Sequence, residues 1–239
     1  MTDSRLGITR RIGEPLAQRR IAGSMLATME FKMQPTLPRR RLVAGLAAML
    51  AAPVFIRNAM AQESRRLTPA QTEGPYYPVA LPSDTDFDLL AQGELRYTQG
   101  QPVWLEGTVK DEGGRPVRGA VVEIWQCDQQ GHYHHPSDGG RADPAFQGFG
   151  RVGVGADGEY RFRTLRPAPY SGRTPHIHVK VRLARRELLT TQLYVEGDAG
   201  NERDWLWRRL SAADRAAITV PFKPAADGLQ AKFPIVVAA

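Results

Sequence analysis

From Val103 onward the chain is written in short runs that alternate apolar with polar residues, and no stretch of helical period interrupts them until Trp205. Alternation of period two buries one face of each run and leaves the other outside, so a succession of such runs completes a core only as stacked or closed sheets. The pattern predicts strands over 103–109, 120–126, 160–164, 176–183 and 190–195. Asp111-Glu112-Gly113-Gly114 ends the first, and Asp157-Gly158 is a hairpin turn signal ahead of the third. Asp204 is placed to cap a short helix over 205–210, with a second turn or two over 211–217, and 218–222 and 233–237 close the sheet. The expected fold class is all-β, a sandwich or barrel. Residues 68–88 are rich in proline and turn formers around Thr72-Glu73-Gly74-Pro75-Tyr76-Tyr77-Pro78. They read equally well as an extended arm on the surface or as the lining of a pocket.

A formal charge of +7 invites a nucleic-acid reading, and the position of that charge removes it. Residues 1–61 carry ten Lys/Arg against three Asp/Glu, the whole of the excess, whereas 62–239 carry 22 of each sign. The body of the chain therefore has no net attraction for phosphate. The basic part reads as a leader. Arg39-Arg40-Arg41 precedes an Ala- and Leu-rich run over 42–52, shorter than a membrane span, and Ala59-Met60-Ala61 is a small-x-small site for a peptidase cutting before Gln62. Paired arginines before a weakly apolar run resemble a twin-arginine export signal. The expectation is an exported protein with a leader over 1–61, cleaved near Ala61, a domain over 62–239, and no stable membrane insertion after processing. The alternatives are an N-terminal membrane anchor and a misread start with no processing, and Met33 is a plausible start. Cys127 is the only cysteine, which excludes an intramolecular disulfide and a cysteine-built metal site.

The five histidines fall in two clusters, His132, His134 and His135, and then His176 and His178. On a strand, positions i and i+2 share a face, so His176 and His178 project together while Ile177 and Val179 turn to the other side. Two imidazoles on one strand face can hold one metal ion. The strand offers no carboxylate beside them. Tyr170 lies six residues upstream in a proline-rich turn, and Tyr133 lies within the first histidine cluster. A phenol ionises near pH 10, so phenolate ligation needs a strongly Lewis-acidic ion, a demand that ferric iron meets better than zinc. Taken one at a time, both tyrosines could also be sandwich filling.

Together these residues form an ordered set: Gly119-Ala120-x-x-Glu123-x-Trp125-Gln126, Gly131-x-Tyr133, Gly148-x-Gly150-Arg151, Gly158-x-Tyr160-x-Phe162-x-Thr164, Tyr170-x-x-Arg173-x-Pro175-His176-Ile177-His178 and Thr191-Gln192-Leu193-Tyr194. In this order they resemble the intradiol ring-cleavage dioxygenases, over about 72 to at least 197. The resemblance implies a β-sandwich with a mononuclear iron site at one end of the sheets, one Fe(III) per site, and O2 as co-substrate. It implies that Tyr133, Tyr170, His176 and His178 hold the iron. It also implies a small-molecule catechol-type substrate, opened between its two hydroxyls to a cis,cis-muconate-type product. Tyr170 would leave the iron and take a substrate proton, Arg173 would stabilise charge developing on the ring, and Gln192 would sit beside the reacting centre. Gly74, Pro75 and Tyr76 would line the substrate entry.

The chain departs from the catechol-specific branch, whose N-terminal helical region does not fit in the proline-rich 62–100, and looks closer to the protocatechuate branch. A homo-oligomer is compatible with it. His132, His134 and His135 match no iron ligand, and His134 and His135 read as residues around the site or on the surface. Three rival readings stand beside the dioxygenase: an iron-free carbohydrate- or small-molecule-binding module on the same sandwich, a zinc or copper enzyme using the two histidines, and a hydrolase, for which no nucleophile sits in a recognisable turn.

Overall fold

The computed structural model describes residues 65–239; the expected leader over 1–61 and its cleavage site lie outside the described residues. In chain order the strands are β1 (Ala91–Gln92), β2 (Leu95–Arg96), β3 (Pro102–Asp111), β4 (Ala120–Trp125), β5 (Phe149–Gly153), β6 (Glu159–Leu165), β7 (His176–Leu183) and β8 (Arg186–Val195). Two short helices follow, α1 (Trp205–Arg208) and α2 (Ala212–Ile218), and then β9 (Thr219–Val220), β10 (Phe222–Ala225), β11 (Gly228–Lys232) and β12 (Ile235–Val237). The fold is all-β. Its first sheet is built on β3, with β6 antiparallel on one edge and β11 and β12 both parallel along the other. The second sheet runs β5-β4-β7-β8-β9.

One cluster of buried side chains joins the two sheets. Val103, Leu105 and Val109 of β3 and Phe162 of β6 meet Val122 and Ile124 of β4 and Ile177, Val179 and Val181 of β7. Each such side chain taken out of water contributes about 1.5–3 kcal/mol, which is what selects this register over its one-residue slip. A close backbone approach fixes the first sheet. A Cβ added to Gly107 would lie 2.0 Å from the Phe233 carbonyl oxygen, the oxygen that accepts from Tyr160 Oη at 2.6 Å. Glycine in mid-strand lets the β11–β12 crossing lie against β3.

Four details differ from the pattern-based expectation. Phe149–Gly153 is a strand although three glycines within 148–153 mask its alternation, and Gly228–Lys232 is a strand with no β-branched residue, held by its parallel pairing to β3. The single strand expected over 218–222 is three pieces: Ile218 ends α2, Thr219–Val220 joins the second sheet, and after Pro221 the chain passes to the first. Proline has no N–H to give a ladder. Pro234 likewise delays the last strand to Ile235.

Candidate metal centre

Register decides what each sheet face carries. Ile177 pairs across β8 with Leu193 and Val179 with Thr191, all turned to the core and none measurably exposed. The opposite, outer face carries His176, His178 and Lys180 of β7, Trp125 and Glu123 of β4, and Tyr194 and Gln192 of β8. The candidate centre is therefore on the outer face of the second sheet, where β4 ends and β7 begins. Loops and the arm ahead of β1 bury it, and His176 and His178 are each 1% exposed.

Two loops deliver the tyrosines. Tyr170 and Arg173 bracket a tight turn in which Arg173 N donates to Tyr170 O at 2.7 Å, and both central residues, Ser171 (φ 43°) and Gly172 (φ 77°), are left-handed. Glycine at the second position carries no penalty for that conformation, and the turn puts Tyr170 and Arg173 side by side. Tyr133 sits in the loop after β4, its backbone N–H donating to Asp138 Oδ2 at 2.9 Å. The four side chains converge. His176 Nε2 lies 3.2 Å from His178 Nε2 and 3.4 Å from Tyr170 Oη, and the Tyr133 ring lies 5.0 Å from that of Tyr170 and 6.1 Å from that of His178.

The chemistry of these donors fits a metal. The His176 ring donates from Nδ1 to the Thr174 carbonyl at 2.6 Å, which leaves Nε2 with its lone pair turned inward. Burial lowers the His176 pKa to about 4, and burial followed by the neighbouring His176 and Arg173 holds that of His178 well below its usual value, so both rings are neutral near pH 7. Burial pushes the Tyr133 phenol well above its usual 10 and raises Tyr170 also, Arg173 partly offsetting the latter. Tyr133 Oη is buried with no hydrogen-bond partner, among Trp125, Cys127, Phe149, Ala168 and Tyr170. An orphan hydroxyl costs about 1–3 kcal/mol in such a place, and a strongly Lewis-acidic cation is the partner that would both satisfy it and ionise it. Among the described residues no group of three or more His, Cys, Asp or Glu side chains could hold a metal, so a site here depends on the phenols.

Arg173 is held from two sides beside this cluster. Its Nε donates to Asp204 Oδ2 at 2.7 Å, and its Nη2 to Gln192 Oε1 at 2.7 Å and to Tyr194 Oη at 3.3 Å. Gln192 in turn donates from Nε2 to the Thr72 carbonyl of the arm at 3.0 Å. The arm passes over the cluster. Gly74 runs against His178, where a Cβ would come within 3.3 Å of Cε1, Pro75 is exposed, and the Tyr76 ring stacks on Tyr133 at 4.5 Å. A cavity of about 120 Å³ adjoins Tyr76, Trp125 and Tyr133, and an open cleft of about 510 Å³ has Tyr170 and Arg173 in its wall with Pro169, Pro175 and Arg203. A third, of about 680 Å³, lies against the first sheet around Phe87 and Tyr160.

The remaining histidines serve the loop. His134 Nε2 lies 2.5 Å from the Phe146 carbonyl oxygen, His135 Nδ1 accepts from Ser137 N at 3.1 Å to cap the 3₁₀ turn Pro136–Asp138, and His132 lies 3.4 Å from the Asp138 carboxylate. Sequence reasoning missed three neighbours of the cluster. Trp125 stacks flat on the His178 ring, at 4.8 Å and 9°; Tyr194 reaches Arg173; and Asp204, read as a helix cap, also holds Arg173. Trp125 and Tyr194 stand inside the ordered motif, so a signal for them existed. For Asp204 the capping role hid the second one.

Comparison with known proteins supports the same region. The sequence profile of the dioxygenase family matches residues 72–212. The chain is 37% identical over 118 residues to a hydroxyquinol 1,2-dioxygenase of Corynebacterium glutamicum, a match over 42% of this chain and 38% of that one. It is 40% identical over 111 residues to the protocatechuate 3,4-dioxygenase beta chain of Burkholderia cepacia, over 41% and 46% of the two chains. The chain thus spans less than half the length of these curated relatives. Among solved structures, the dioxygenase domain of a dioxygenase–carbohydrate-binding protein fusion from Streptomyces sp. SirexAA-E superposes with a TM-score of 0.59 at 32% identity, covering 73% of this chain and 99% of that domain.

Proposed function

Because this chain belongs to the intradiol dioxygenase family, we propose that it is a non-haem Fe(III)-dependent dioxygenase that opens a catechol-type ring between its two hydroxyls and adds both atoms of O2 to the product. The convergence of two inward-facing imidazole nitrogens and two phenols, one of them orphaned, carries the proposal. Tyr133, Tyr170, His176 and His178 would hold the iron, which supplies the Lewis acidity that ionises a bound catechol and lets it react with O2. The rest falls to the protein. Tyr170, at the edge of the open cleft, would be ionised while it holds the iron, and as a phenolate it would take a substrate proton on its oxygen and swing clear. Arg173, fixed by Asp204 and Gln192, presents positive charge to the ring as negative charge develops there. Gly74, Pro75 and Tyr76 cover the centre from the arm side and exclude water.

The visible spectrum of the purified, iron-loaded protein tests this. Two phenolates on ferric iron give a broad charge-transfer band and a reddish protein; adding catechol in air should move the band to longer wavelength and then bleach it. A protein that stays colourless with added iron would leave the sandwich as a binding module.

Export is proposed on Arg39-Arg40-Arg41, the apolar run after it and Ala59-Met60-Ala61. Mass spectrometry of the secreted chain should find Gln62 at its N-terminus; a chain retained in the cytoplasm with an uncut leader refutes it. No helix among the described residues is long and apolar enough to cross a membrane.

A further inference from the structure

Two charged side chains on the outer face of the second sheet are buried as completely as the histidines. Glu123 is 2% exposed and Lys180 3% exposed, and they are cross-strand partners one step along from Trp125 and His178. Burying a carboxylate and an ammonium is costly unless each is paired, and an apolar pair would seal the same surface at lower cost. Their partners give the reason for keeping them.

Lys180 Nζ makes ion pairs with Glu73 and with Glu187, the latter at 3.3 Å, and lies 3.9 Å above the centre of the Tyr77 ring. Tyr77 Oη donates to Glu123 Oε2 at 2.9 Å, and Arg151 Nε faces the other oxygen of Glu123 at 3.4 Å. The Tyr77 and Trp125 rings meet edge to face with their centres 5.0 Å apart, and Trp125 is the ring stacked on His178. Glu73 and Tyr77 flank the three arm residues that lie over the metal centre. Upstream the arm is tied independently, by Gln71 N to Thr190 O at 2.8 Å and Thr191 Oγ1 to Pro69 O at 2.7 Å.

We infer that Glu123 and Lys180 are positioning residues that grip the arm at Tyr77 and Glu73 and so set residues 74–76 against the metal centre. Neither touches the four candidate ligands in any recorded polar contact. Their effect passes through the arm, and the inference rests on the function proposed above. Holding the arm in place before substrate arrives spares that ordering cost on binding. Loosening it therefore weakens substrate binding more than it slows the reacting centre.

The test uses two conservative variants of the full chain, iron-loaded. Tyr77→Phe removes one hydrogen bond and keeps the ring; Lys180→Met removes the ion pairs and the contact of charge with ring but keeps an apolar stem. Each is expected to raise KM for catechol by about five- to tenfold with kcat within about twofold, the net size of one intramolecular hydrogen bond. Both should keep the visible band, and amide exchange over residues 72–78 should accelerate by about tenfold while that of β7 stays slow. Glu123→Gln, which still accepts from Tyr77, should fall between these variants and the wild type. Unchanged KM and unchanged exchange in both variants overturn the inference, as does a fall in kcat at constant KM. The exchange measurement needs no turnover, so a chain that shows the exchange response yet cleaves no catechol keeps the positioning role and overturns the catalytic reading.

Discussion

Tyr133→Phe is expected to give a chain that folds as well as the wild type and binds iron at least about 10²-fold more weakly, so that it purifies almost without colour. The two halves of this expectation come from one atom. Tyr133 Oη is buried without a protein partner, so its removal takes no hydrogen bond from the metal-free fold and relieves a desolvated hydroxyl worth about 1–3 kcal/mol. The ring that remains still stacks on Tyr76 and still fills the apolar cluster around Trp125 and Phe149. With metal bound the balance reverses, because the lost atom is an anionic donor. Losing an outer partner of a ligand typically costs 10–100-fold in affinity, and losing a ligand itself should exceed that. Iron per chain after gel filtration, the visible spectrum and the urea midpoint decide the matter together. Wild-type colour and iron content in the variant would remove Tyr133 from the ligand set. A collapsed urea midpoint would instead show that the hydroxyl is structural, against its lack of any partner.

What the sequence disclosed and what it withheld follow one physical division. Period-two alternation reports which face a residue takes, so it puts His176 and His178 together and Ile177 and Val179 opposite them, as the strand pairing does. The order of motifs supplied Tyr133 and Tyr170, which alternation alone leaves ambiguous with core filling. The sequence did not reveal which other residues share the outer face, because that depends on strand order and register. Glu123 and Lys180 lie 57 positions apart and become neighbours only through the pairing of β4 with β7. Tyr77 and Glu73 reach them from an arm whose path over the sheet has no periodic signature. The missed strands have the same cause: Gly228–Lys232 has little strand propensity of its own and exists because β3 offers it a ladder. The split of 218–222 is legible in Pro221, which has no N–H to carry a ladder from Val220 to Phe222.

Arg173→Ala should leave iron and colour in place and lower kcat by about 10²-fold or more, the scale on which preorganised charge stabilisers act. Colour survives because the guanidinium is no ligand; its recorded hydrogen bonds go to Asp204, Gln192 and Tyr194. The rate falls because those three partners fix the charge in one place before substrate binds, and solvent would have to reorganise to replace it. The variant also exposes a structural cost that must be separated from the catalytic one. Burial alone would raise the Asp204 pKa, but hydrogen bonds from Arg173, Trp207 N and Thr174 N outweigh it and hold the carboxylate below its usual range. A depressed folded-state pKa contributes stability that is present above the unfolded value and is lost as pH falls through the folded one. Without Arg173 the Asp204 pKa rises towards that of the unfolded chain, so the variant should lose stability chiefly near neutral pH and should resemble the wild type in strong acid. Asp204 keeps its three backbone donors, from Thr174, Leu206 and Trp207, which limits the loss. Rates are therefore to be compared at a temperature where both proteins are folded. A variant that then turns over at the wild-type rate would take Arg173 out of the mechanism. One that is slow, iron-loaded and red would leave the placed charge as the reason.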